Sequence, residues 1–135
     1  MKLVYPACFY KEEDGRYSVD VPDLSGCVTF GENLAHAIEM AVEAAGGWIL
    51  ITLENGEEVP RPSNIEDIKL EYENGIISYI MLDIESYAEK YGDKAIRKNL
   101  TIPAWLNTLA EKHNVNFSHV LQNALKSELK EYLPV

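Results

Sequence analysis

"AIRKNLTIP", residues 95–103, decides how the chain is divided. Its polar and apolar residues alternate: Arg97, Asn99 and Thr101 fall on one side, Lys98, Leu100 and Ile102 on the other. That period of two predicts a short strand. Pro103 ends it and suits the first turn of a helix. Leu106, Leu109 and Ala110 then recur at helical spacing, "HNVNF" makes a tight connection, and Ser118 is the expected cap of a second helix. The apolar side of that helix is Leu121, Ala124, Leu125 and Leu129. A lone strand has two unpaired backbone edges, and a unit of roughly forty residues rarely buries enough surface to fold alone. A two-fold partner answers both problems. The two strands pair, Leu100 and Ile102 turn inward, and Arg97, Asn99 and Thr101 are presented twice on the outer face. Such a ribbon fits the major groove, where Arg pairs with guanine, Asn with adenine, and Thr with several edges. Free amides at the start of the second helix, near Ser118, suit a phosphate.

Charge marks the same boundary. The chain has 135 residues and a formal net charge of −10. Residues 1–92 hold 6 Lys/Arg against 18 Asp/Glu, a balance of −12; residues 93–135 hold 6 against 4, a balance of +2. An acidic body with a mildly basic tail points to two tasks, and only the tail is suited to approach a phosphate backbone.

In the body, Leu3, Tyr5, Ala7 and Phe9 share one face of a strand over 2–10. Asp14-Gly15 signals a hairpin, and "YSVDV" is the return strand. "PDLSG" is a second loop and "CVTF" a third strand. Asn33 caps a helix whose apolar positions are Leu34, Ile38, Ala41, Val42 and Ala45. Gly46-Gly47 predicts a kink or an early end. Asn55-Gly56 and two prolines mark a long loop. Residues 68–73 are expected as a short strand, "GIISYIMLDI" as a buried strand, and "ESYAEKYGDK" as a short helix or linker. The expectation is α+β, a βββαβ body over 1–90 and a strand–helix–helix tail over 94–135.

Composition excludes several classes. No apolar run approaches the roughly 18–20 residues that span a bilayer, and the start lacks a signal-peptide core. A cytoplasmic protein is expected, with Cys8 and Cys27 reduced. Neither zinc spacing, phosphate loop, dinucleotide fingerprint nor nucleophilic triad is present, so no metal, cofactor or catalytic residue is expected. Glu12, Glu13, Asp14, Asp20 and Asp23 lie on turns and strand ends, with nothing in the spacing to make them converge. A ligand- or metal-responsive regulator is the alternative reading.

Two resemblances cover nearly the whole chain. "RKNLTIPAWLNTLAEKHNVNFSHVLQNALKSEL" resembles the ribbon-helix-helix DNA-binding domains, across residues 94–133. This implies base contacts from Arg97, Asn99 and Thr101, backbone contacts near Lys94, Asn116 and Ser118, and a homodimer. Lys98 departs from the pattern, at a position usually apolar and inward; either the end of the ribbon frays there or Lys98 reaches a phosphate. "YPACFYKEEDGRYSVDVPDLSGCVTFGENLAHAIEMAVEA", "ENGEEVPRPS" and "ISYIMLDIESYAEK" resemble the HicB antitoxins, with "PDLSG" where "PDLPG" is frequent. That resemblance implies a partial RNase H-like fold without its full active site. It also implies a HicA-type toxin partner that cleaves mRNA, and repression of the protein's own operon through operator double-stranded DNA. The five carboxylates at Glu12, Glu13, Asp14, Asp20 and Asp23 would then meet the basic toxin, mimicking phosphates. An exposed sheet edge in the body offers a contact for a higher oligomer.

Overall fold

The computed structural model describes residues 1–92 and 94–134. Asp93, within the expected junction, and Val135, the last residue of the expected tail domain, lie outside the described residues. Two compact units are present, one within residues 1–92 and one over Lys94–Leu133.

The first unit is a four-stranded antiparallel sheet in the order β3-β2-β1-β4, with β1 Lys2–Lys11, β2 Tyr17–Asp20, β3 Val28–Gly31 and β4 Gly75–Asp83. Helix α1, Leu34–Glu54, lies on one face, and α2, Ile84–Tyr91, follows β4 directly. The hairpin forms at Asp14-Gly15, where Gly15 has φ +89 and Glu12 N–H donates to the Arg16 carbonyl at 2.7 Å. The second loop closes through Gly26 at φ +78. Both positions need the left-handed backbone that glycine adopts without penalty.

The inner face of β1 is buried at Leu3, Tyr5, Ala7 and Phe9. Against it α1 places Ala37, Ala41, Ala45 and Ile49. The buried line of α1 is therefore its alanines; Leu34 and Ile38, expected inside, are partly exposed. The reason is close approach. A Cβ on Gly31 would stand 2.3 Å from the Ala37 nitrogen, so the helix backbone rests almost on β3 and only small side chains fit between. Asn33 caps α1 as expected, accepting from His36 N–H at 2.9 Å.

Three further expectations fail in the body. Helix α1 runs unbroken through Gly46-Gly47, because these glycines make room for the Tyr87 ring of α2. Residues 68–73 form no strand. A 3-10 turn at Ile65–Asp67 precedes an irregular segment pinned by Glu71 N–H to the Tyr10 hydroxyl and by Tyr72 packed edge-on against Tyr10. Strand β4 is an edge strand, not a buried one. Ile80 and Leu82 are buried, but Ile76, Tyr79 and Met81 are 53%, 51% and 58% exposed. A β-branched apolar run reads as buried wherever its strand sits in the sheet order. Among the described helices, α1 alone is long and apolar enough to cross a bilayer by length and composition, although no single apolar run of that kind was expected; its alanine line is packed on the sheet.

The second unit contains α3, Ala104–Lys112, and α4, Phe117–Leu129. Asn114, at φ 54, makes the turn between them, and Val115 N–H donates to the Ala110 carbonyl.

Candidate functional site

In the tail, residues 94–103 form no strand in the single chain. A lone extended segment has no second strand with which to build a ladder. Arg97, Lys98, Asn99 and Thr101 are exposed, and so is Lys94. Leu100 is 63% exposed and Ile102 41%. The helices are no better covered. Neither α3 nor α4 has a buried residue, and Leu106, Leu109, Val120, Leu125 and Leu129 are all exposed.

The cap of α4 is Asn116, two residues earlier than the expected Ser118. Its side-chain oxygen accepts from His119 N–H at 3.0 Å, and the helix begins at Phe117. Ser118 sits inside the first turn, where its hydroxyl accepts from Gln122 Nε2 at 3.0 Å. An Asn oxygen two bonds beyond Cβ reaches the third helical amide from the residue before the helix. The pair Asn116 and Ser118 is thus together at one helix start, but with the roles exchanged.

The five acidic residues of the body do not gather. Glu12, Glu13 and Asp14 lie at the β1–β2 turn; Asp20 and Asp23 lie at the other end of β2. Glu12 accepts from the Ser18 hydroxyl at 2.9 Å. Asp14 is clasped by Arg16, through its backbone N–H at 3.0 Å and its Nε at 2.9 Å; these bonds hold the Asp14 carboxyl below the usual range. Glu13 is exposed. Asp20 is half-buried on the sheet face opposite α1, across from Cys8 and Val28; burial, then the Glu71 carboxylate, pushes its pKa up.

Asp23 has a different task. Both its oxygens are taken by Ser63, the backbone N–H at 2.9 Å and the hydroxyl at 2.5 Å. With the Tyr5 hydroxyl donating to the Pro60 carbonyl at 2.6 Å, this ties the 57–64 segment to the sheet. Sequence spacing gave no sign of this tie, which joins residues 40 and 55 positions apart. It also gave no sign of the apolar side chains on the face opposite α1, where the pairing aligns Val28 and Phe30 with one side of β1, and Tyr79 and Met81 with the other. Among the described residues, no group of three or more His, Cys, Asp or Glu is placed to hold a metal. Cys8 and Cys27 are free and buried, and burial pushes both thiols up.

Comparison with known proteins decides the family. Residues 5–125 match the HicB_like antitoxins of bacterial toxin-antitoxin systems. The chain belongs to this family. The HicB-like chain is also similar, at 36% identity over 106 residues, to the uncharacterized 14.9 kDa protein of the rep-hol intergenic region of Haemophilus phage HP1. That match covers 77% of this chain and 76% of the phage protein. Among solved structures it resembles a toxin-antitoxin complex from Streptococcus pneumoniae, at 29% identity and TM-score 0.59, over 95% of this chain and 99% of that one. It resembles the Burkholderia pseudomallei antitoxin HicB at 26% identity and TM-score 0.55, over 96% and 98%. A HicB-like antitoxin is a regulatory protein, and the family points away from catalysis.

Proposed function

We propose that this antitoxin binds and inhibits a HicA-type mRNA-cleaving toxin through its acidic body, residues 1–90, and represses its own operon through a dimeric ribbon-helix-helix tail, residues 94–135. One observation carries the second half: neither tail helix buries a single residue. Apolar side chains at helical spacing with nothing over them call for a partner, and two copies closing on each other supply it. In that dimer the 97–102 segments pair as the central ribbon, and Arg97, Asn99 and Thr101 read bases. Lys94 and Lys98 reach the backbone, and the α4 start at Asn116 and Ser118 meets a phosphate. The body, read as a partial RNase H-like fold, neutralises by surface contact. Glu12, Glu13, Asp14 and Asp20 face a basic toxin, while Asp23 acts by holding the 57–64 segment. Both tasks belong to the cytoplasm, where toxin, mRNA and operator are found.

The test separates the two tasks on one set of mutants. Arg97→Ala and Asn99→Ala should each cost about 1–3 kcal/mol in operator affinity, with binding that falls steeply as salt rises. Both should leave growth rescue from the toxin unchanged. Asp20→Lys should weaken rescue and leave operator binding intact. If Arg97→Ala repressed a reporter as well as the wild type does, the tail would have to be read differently. Loss of rescue in the ribbon mutants at normal toxin abundance would move neutralisation to the tail.

A further inference from the structure

The sheet face opposite α1 is covered unevenly. In its middle, Cys8 and Tyr10 of β1 are buried, and the 68–73 segment bonds to the Tyr10 hydroxyl. At the β3 end the cover stops. Val28 and Phe30, turned to this face by pairing with Asp20 and Ser18, are 66% and 58% exposed. They are neighbours on one strand face, so they make a patch and not two scattered apolar residues. Carboxylates stand along its inner side. The Ser18 hydroxyl, across from Phe30, donates to Glu12 at 2.9 Å and so holds that carboxylate at the patch. Asp20 lies across from Val28, and its pKa is pushed up by burial and then by the Glu71 carboxylate. Among the described residues, none of Glu12, Asp20 and Glu71 makes an ion pair, and Arg16 is taken by Asp14 at 2.9 Å.

We propose that this patch, with Phe30 and Val28 as anchors inside a rim of Glu12, Asp20 and Glu71, is where the basic toxin of the proposed function docks, through an apolar side chain flanked by lysine or arginine. The inference rests on that reading and adds the surface to it. An apolar centre with a charged rim is the usual anatomy of a protein interface, and a few buried anchors carry most of its affinity. Charge selects the occupant. A lysine or arginine arriving between Asp20 and Glu71 relieves a repulsion already present in the free chain. A second copy docking face to face would set the same three carboxylates against themselves, and a nucleic acid would bring phosphates to them. A basic protein meets neither penalty. The anchors and the rim have separate effects: apolar contact slows departure, and the carboxylates speed arrival.

The experiment uses the full chain and its purified cognate toxin. Surface plasmon resonance at low and high salt gives association and dissociation rates for the wild type, for Phe30→Thr with Val28→Thr, for Glu12→Gln with Glu71→Gln, and for Ile51→Thr. Ile51, 60% exposed on α1, controls for the loss of apolar surface elsewhere. Threonine keeps the strand preference at both anchor positions, so far-UV circular dichroism should stay unchanged; if the pair unfolds, Val28→Thr alone replaces it. The anchor variant should dissociate about tenfold faster or more and keep the wild-type salt dependence. The rim variant should associate more slowly, and salt should change its rate less than it changes the wild type's. Ile51→Thr should match the wild type. Wild-type rates in the anchor variant would overturn the docking face and leave toxin inhibition standing, whereas a wild type that does not bind the toxin would overturn both. Sedimentation without toxin should give every variant the wild-type mass. A changed mass in the anchor variant with unchanged toxin rates would assign the patch to a contact between copies and overturn the docking.

Discussion

The body and the tail solve burial in opposite ways. The body closes its own core: Tyr5, Phe9, Leu24 and Ile49 are fully buried within one chain. The tail, with apolar residues at comparable spacing, buries none in either helix. Hydrophobic periodicity is the same signal in both, and it does not say in which molecule the burial is completed. For α1 the cover is the sheet of the same chain. For α3 and α4 neither helix supplies it to the other. In the proposed dimer the folding of the tail comes under mass action, since a unit stable only as a dimer depends on protomer concentration.

The sharpest way to break this comparison is to put a charge where each half buries, or would bury, an apolar group. Ile102→Lys should abolish tail folding outright. A buried unpaired ammonium on each strand of a ribbon is too costly to be offset by the few side chains of so small a core. Helical content of α3 and α4 and all operator binding should be lost, while the body's own unfolding transition and toxin binding persist. In the wild type the tail's transition should move with protein concentration. A variant that kept both helices, measured by amide exchange, would show that the tail is complete in one chain.

Alkaline unfolding sharpens the contrast from the other side. Tyr5 is buried, and its pKa is pushed up to about 12, first by burial and then by the Asp23 carboxylate. The folded body therefore favours the neutral phenol. Its contribution is whole below the ordinary tyrosine pKa of 10.0 and is lost as pH rises toward about 12. The loss should be about 1–3 kcal/mol, trimmed by solvent reaching the hydroxyl. Tyr5→Phe should flatten most of this fall in the body's transition. It should also lower stability at neutral pH, since the bond to the Pro60 carbonyl goes with it. A wild-type body whose stability is level from pH 10 to 12 would mean that the hydroxyl is not held in the buried site.

What could be read from the sequence was local. Asp14-Gly15, the shared inner face of Leu3, Tyr5, Ala7 and Phe9, and the Asn33 cap each depend on residues a few positions apart, and each appears where expected. What could not be read depended on distant partners. The exposure of β4 follows from its place at the end of the strand order, which its own residues do not encode. The alanine line of α1 is buried because Gly31 brings the sheet close. The Asp23–Ser63 tie turns an acidic surface residue into an anchor across 40 positions. The cap of α4 fell between two competent residues in one turn, and only geometry separates Asn116 from Ser118. In the tail, the apolar spacing of α3 and α4 is legible as a pattern, but those side chains stay exposed in the single chain.

The smallest effect tests the failed expectation at Gly46-Gly47, where two adjacent glycines should respond with opposite signs. In a helix interior, alanine is favoured over glycine by about 1 kcal/mol. At Gly47 a new Cβ would come 2.8 Å from the Tyr87 hydroxyl oxygen, the far end of a side chain that can swing away. Gly47→Ala should therefore stabilise the body by up to about 1 kcal/mol. At Gly46 the same Cβ would stand 2.6 Å from Cδ2 and 2.9 Å from Cγ of Tyr87. Those atoms sit close to the α2 backbone, and the ring is stacked beside Tyr91 at 4.8 Å between centroids. To admit the methyl, α2 itself must shift, and overpacking of this kind costs about 1–3 kcal/mol. Gly46→Ala should thus destabilise the body despite its better propensity. Removing the ring should reverse the sign: in a Tyr87→Ala background the methyl enters open space, and Gly46→Ala should stabilise. Denaturant midpoints of the four variants give the answer directly. If Gly46→Ala stabilised in both backgrounds, α2 would not be held against α1 by that ring, and the unbroken helix would need another cause.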